Sequence, residues 1–125
     1  MRDFSNIKLF DIAANLSDDR YRGEYYGGKL HEPDLEIVKA RANKYGVLKF
    51  LLGAGYFQDV VDSYEIALKG GEKEYFCMMG VHPCRAKEPF IDFKADQEKG
   101  LVGPEELPKE EIVSRYLHKM DEFYA

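Results

Sequence analysis

Tyr75-Phe76-Cys77-Met78-Met79-Gly80-Val81-His82-Pro83 is an apolar run that ends on an imidazole and a proline. Charge precedes it and a polar segment follows, so it reads as a buried strand. Pro83 has no N–H to donate to a sheet ladder, which predicts an abrupt stop. His82 is then left at the carboxyl end of the strand, where parallel α/β folds place their chemistry. Taken alone, one such imidazole is more often a packing or surface residue than a catalytic one.

Two similar runs precede it. Ile7-Lys8-Leu9-Phe10-Asp11-Ile12-Ala13-Ala14 is the first, and Val47-Leu48-Lys49-Phe50-Leu51-Leu52, closed by Gly53-Ala54-Gly55, is the second. Strands are therefore expected at about 7–14, 47–53 and 75–81. Helices are expected between and after them, at about 33–45, 58–69 and 108–124. Leu35, Val38, Ala42 and Tyr45 stripe the first helix, which Pro33 opens and Gly46 stops. Val60, Val61, Tyr64, Ala67 and Leu68 stripe the second, which Gly70-Gly71 ends. Val113, Tyr116, Leu117, Met120 and Tyr124 stripe the third, which Pro108 starts. The order β-α-β-α-β-α with nearly continuous apolar strands predicts a parallel sheet buried on both faces, with right-handed crossovers. One domain over residues 1–125 is the natural count.

The composition is that of an ordinary globular protein, with 45% hydrophobic and 33% charged residues. A net charge of −5 argues against nucleic-acid binding through a broadly basic surface, though not against a locally positive or metal-loaded site. No apolar run approaches the ~18 residues of a membrane span, so no membrane association is expected. Met1-Arg2-Asp3-Phe4-Ser5-Asn6 lacks the apolar core of a signal peptide, and Cys77 and Cys84 form neither a disulfide framework nor a zinc motif. The expectation is a reduced intracellular protein, cytoplasmic or nuclear, with Cys77 buried in its strand. No phosphate-binding glycine motif or serine nucleophile elbow is present, since Gly53-Ala54-Gly55 lacks the third glycine and the lysine.

Two polar stretches, residues 16–32 and about 84–107, read as long loops. The first crowds Arg20, Tyr21, Arg22, Tyr25, Tyr26 and His31 together, a mixture suited to phosphate contact and base stacking or to a loop packing its own tyrosines. Period-two alternation along the first strand puts Asp11, Ala13 and Asn15 on one face, with Asn15 either functional or a turn cap. His31 and His118 read as structural, His118 having no partner nearby in sequence.

Phe10-Asp11-Ile12-Ala13-Ala14-Asn15-Leu16 resembles the "FDIGxNL" opening of the TatD family of metal-dependent deoxyribonucleases, and Gly80-Val81-His82-Pro83 is similar to that family's "GxHP" signature. Tyr21-Arg22-Gly23-Glu24-Tyr25, His31, Asp34-Leu35, Gly46-Val47 and Gln58-Asp59 fit as well, so the resemblance covers about residues 8–90. It implies the amino-terminal three βα units of a TIM (β/α)8 barrel of the metal-dependent hydrolase type, truncated before the fourth strand. It also implies hydrolysis of DNA phosphodiesters, often exonucleolytic, with a divalent cation such as Mg²⁺ or Mn²⁺. In that setting His82 would be catalytic, beside the substrate phosphate, and Asn15, Arg22 and Arg85 would bind substrate.

The chain departs from the family in two ways. Many relatives carry His-x-His at the end of the first strand, where Ala13 and Asn15 stand here, and no residue of this chain is assigned as a metal ligand. Such a barrel needs ~250 residues, and the downstream "GExGLD" glutamate and later His, His and Asp ligands have no counterpart here. A fragment, a truncated product or one half of something completed by another chain is therefore expected, with the inner face bearing Phe76 and Met78 left uncovered. Beside the nuclease stand two other readings: a non-catalytic α/β module binding nucleic acid or protein through its loops, and another barrel hydrolase acting on an amide or ester.

Overall fold

The computed structural model describes residues 6–70 and 74–125. The expectations for Met1–Ser5 and for Gly71 as a helix stop lie outside those residues.

Strand β1 (Leu9–Ala14) is followed by a one-turn 3-10 helix (Asp19–Arg22) and a short antiparallel hairpin, β2 (Glu24–Tyr25) and β3 (Gly28–Lys29). Helix α1 (Leu35–Lys44), strand β4 (Val47–Leu52), helix α2 (Phe57–Gly70) and strand β5 (Tyr75–Cys77) come next. A second 3-10 turn (Pro83–Arg85) leads into helices α3 (Glu88–Glu98) and α4 (Lys109–Tyr124). The main sheet has the order β1-β4-β5, and both pairings are parallel, in accord with the sequence pattern.

One face of this sheet carries the core. Phe50 and Leu52 of β4, Ala14 of β1 and Tyr75 of β5 are buried together, with Leu35, Ala42, Ile66 and Ala67 of α1 and α2 packed against them. The Phe50 and Tyr75 rings stack at 5.3 Å across the strand pair. The opposite face is bare. Phe10, Leu51 and Phe76 share it through the Phe10–Lys49 and Leu51–Phe76 registers, the Phe10 and Phe76 rings lying 5.6 Å apart. Ile12 is 67% exposed and Phe76 42%. The chain accordingly exposes 9545 Å², against about 6,800 Å² for a compact monomer of its mass. Burial on both sheet faces, expected from the apolar strands, is thus realised on one only, while the face bearing Phe76 stays uncovered, as the barrel resemblance implied for three units.

Four local expectations need correction. The third strand spans Tyr75–Cys77 rather than 75–81: after Met78 N–H donates to the Leu52 carbonyl (2.9 Å) the ladder ends, and Gly80 turns the chain with φ at +157°. A glycine reaches that backbone region without Cβ strain, so the chain leaves the sheet before Pro83 is reached. Cys77 is exposed, not buried, because it stands near the sheet's end. The stretch read as a loop over 84–107 contains α3, since Pro89 occupies its first turn, where no intrahelical N–H is needed. Phe93 of α3 is buried, and Asp92 and Asp96 pair with Lys119 (2.6 Å) and Arg115 (3.8 Å) of α4. Finally, β1 carries an extra residue between Asp11, opposite Phe50, and Ala14, opposite Leu52. This bulge, closed by Ala13 N–H donating to Asp11 Oδ1 (3.0 Å), breaks the alternation that would have kept Asp11 and Asn15 on one face.

The two faces should respond oppositely to substitution. Leu52→Ala removes a side chain with no exposure and should cost about 2–5 kcal/mol, read as a lower urea midpoint. Ile12→Ser should change that midpoint little, by about 0.5 kcal/mol or less, while reducing binding of an apolar-surface dye. Equal losses from both would show that the Ile12 face is covered.

Candidate functional site

The carboxyl ends of β1 and β4 open onto a polar cleft of about 570 Å³. Its walls come from the segment after β1 (Asn15 to Tyr26), from the start of α2, and from Arg85 of the Pro83–Arg85 turn. Three of the residues singled out from the sequence, Asn15, Arg22 and Arg85, line it together.

Each guanidinium is already engaged. Arg22 donates to Asp19 Oδ1 at 3.0 Å and to Asp62 Oδ2 at 2.5 Å, so it bridges the loop to α2. Arg85 donates to Glu88 Oε1 at 2.9 Å and lies 4.7 Å over the Tyr56 ring. Arg20 grips Asp18 through two side-chain bonds of 2.8 Å. Those bonds, with the Arg20 N–H, hold the Asp18 carboxyl down at about 2. Burial works against ionisation of Asp62, but the Gln58 amide and the Arg22 guanidinium outweigh it and keep its pKa below the usual carboxylate range. Asp59 goes the other way: burial raises it, and the Gly55 N–H and nearby Arg85 offset this only in part.

His82 lies beyond the end of β5 and caps the Pro83–Arg85 turn, its Nδ1 accepting from the Cys84 N–H at 3.1 Å. That bond assigns the neutral ring proton to Nε2. The ring is exposed and stands next to the cleft rather than in its wall. The expected position at a strand end is therefore corrected to a cap on the following turn. His31 Nδ1 sits 2.7 Å from the Glu32 carbonyl and His118 Nε2 3.4 Å from Glu122 Oε1, so His118 does have a partner one helical turn away.

Among the described residues no group of three His, Cys, Asp or Glu side chains is placed to hold a metal ion. Asp18, Asp19, Asp59 and Asp62 of the cleft are spent on Arg20, Arg22 and the Gly55 N–H, which leaves Glu24 as a single carboxylate, and Ala13 offers no donor. The donor set does not fit the divalent cation that the family resemblance implies. Asp59, Asp62 and Tyr56 are site residues that the sequence reading left without a role. The available signal was two carboxylates one turn apart at the start of a helix that follows a glycine turn.

Fold and cleft together define a parallel α/β protein with a polar, largely self-neutralised site at the carboxyl ends of its strands. Comparisons with known proteins show what this chain is similar to. The chain is 31% identical over 105 residues to deoxyribonuclease Tat-D of Schizosaccharomyces pombe, covering 82% of this chain and 32% of that protein. It superposes on a crystal structure of a hydrolase TatD family protein from Entamoeba histolytica with a TM-score of 0.61 and 28% identity, over 89% of this chain and 44% of that one. No protein-family model matches. This chain is a relative of the TatD family of hydrolases, as its sequence resemblance implied, and it spans about a third of the length of the curated relative it matches. No described helix is long and apolar enough to cross a membrane.

The Arg22 bridge should be measurable as a pH-dependent stability. Asp62 has a lowered folded-state pKa, so its contribution is present above the unfolded value of 3.8 and is lost as pH falls through the folded one. Arg22→Gln should cost about 0.5–1 kcal/mol at pH 7, since the exposed arginine keeps the pair weak, with the difference shrinking at a pH well below 3.8. Urea melts of both proteins at the two pH values decide it. An equal gap at both would remove the ion pair as the cause.

Proposed function

We propose that this chain forms the opening three βα units of a (β/α)8 barrel of the TatD type, and that its cleft takes part in hydrolysing DNA phosphodiesters. The observation that carries the reading is the convergence of Asn15, Arg22 and Arg85 on one cleft beside His82, in a relative of TatD hydrolases. In this reading Arg22 and Arg85 exchange their carboxylate partners for backbone phosphates, which guanidinium groups bind in the same forked geometry. Asn15 orients substrate or water, and the Nε2–H of His82 donates to a phosphate oxygen or shares in proton transfer. DNA is the partner, and the bare sheet face is covered by a second chain or by further strands of the same barrel. A site inside the cell goes with this reading.

A specific observation favours a second reading. Five carboxylates line the cleft against three guanidiniums, so its own field repels a phosphate, and the described residues offer no metal-holding group. That arrangement suits a module that has kept the scaffold and binds without cutting.

Incubation with single- and double-stranded DNA in Mg²⁺ or Mn²⁺ separates the two. The nuclease reading expects metal-dependent nucleotide release that falls about 10²-fold in His82→Ala. Release that survives the substitution removes His82 from the mechanism. Binding without release supports the module.

A further inference from the structure

Gly55 stands where two of the cleft's side chains, Asp59 and Arg85, meet His82. Its N–H donates to Asp59 Oδ2 at 3.0 Å, and its carbonyl accepts from the His82 N–H at 2.9 Å. A Cβ at this position would lie 3.0 Å from Asp59 Oδ2, 3.7 Å from Arg85 Cγ and 3.8 Å from His82 Cβ. The turn that begins at His82 is internally tied, since the Arg85 N–H donates to the His82 carbonyl at 2.7 Å and the Cys84 N–H donates to His82 Nδ1. The His82 imidazole is thereby fixed to the turn's own backbone, and the Gly55 carbonyl links that turn to the segment leaving β4.

Glycine is the residue with the least intrinsic restraint on its backbone, so position 55 holds its direction only if something outside it does so. On its carboxyl side the first turn of α2 supplies the restraint, through Val60 N–H donating to the Tyr56 carbonyl at 3.1 Å. On its amino side the restraint is the Asp59 carboxylate, half-buried and accepting from the Gly55 N–H. We propose that Asp59 is a positioning residue, which by fixing the Gly55 backbone sets where the His82–Arg85 turn stands at the lip of the cleft. The use of that turn on a phosphodiester rests on the nuclease reading above. The mechanical link from Asp59 to His82 does not.

Amide hydrogen exchange on the 125-residue chain tests the link. Asp59→Ala should raise exchange at Gly55 and at His82 about tenfold or more, as loss of a charge-assisted bond would, and leave Gly53 and Met78 within about twofold. Those two amides bond to the Ala14 and Leu52 carbonyls within the sheet and report the fold itself. Asp59→Asn keeps an acceptor oxygen and should restore most of the protection. Three results would overturn the proposal: an unchanged His82 amide while Gly55 loses protection, equal acceleration at all four amides, or no rescue by asparagine. A normal exchange response in a protein that releases no nucleotides would uphold the link and remove the nuclease reading.

Discussion

Hydrogen bonding along both edges of β4 ties the structure together. On one side the Leu9 N–H reaches Gly46 at 2.8 Å and the Gly53 N–H reaches Ala14 at 2.9 Å. On the other, Phe50 N–H bonds to Glu74 at 2.8 Å and Met78 N–H to Leu52 at 2.9 Å. β4 is the only strand of the three-stranded sheet with a neighbour on each side. Its inward residues, Phe50 and Leu52, are also the centre of the core that α1 and α2 cover. Displacing β4 would separate β1 from β5 and dismantle the cleft, because the segments after all three strands enclose or flank it.

The same arrangement leaves the molecule lopsided. Aliphatic and aromatic side chains on the uncovered face gain little from folding, since they remain in water. The Lys49 ammonium, 5.8 Å over the Phe76 ring, shields a small part of that surface. The helical pair α3 and α4 does not reach across; it closes on itself and on α2, where Phe123 meets Phe57 at 5.7 Å and Tyr64 at 5.5 Å. Tyr116 adds a polar tie, its hydroxyl accepting from the Phe57 N–H at 2.8 Å.

In the cleft, electrostatics serves structure before chemistry. Arg22 draws the loop after β1 onto α2, and Arg85 draws the turn after β5 onto Tyr56 and Glu88. Each contact is short and partly screened by solvent, so each can be exchanged for a phosphate at moderate cost. Asp59 differs because its partner is a backbone N–H rather than a mobile cation, and because burial resists its charge. It belongs to the frame of the site.

The repeated apolar runs, the three- and four-residue stripes and the glycine and proline punctuation made the parallel sheet, α1, α2 and α4 legible, and the opening and "GxHP" motifs carried the kinship. Those signals are local, and local backbone preferences and burial patterns are what a linear string records. α3 escaped because Pro89 looks like a breaker until its place in a first helical turn is known, and the early end of β5 escaped because an apolar string does not reveal where its ladder runs out of partners. The convergence of Asn15, Arg22 and Arg85, and the pairing of each guanidinium, belong to the folded chain alone. Arg22 and Asp62 stand 40 positions apart, and no spacing rule joins them. Only the crossover that lays α2 beside the loop after β1 brings that charge to its partner.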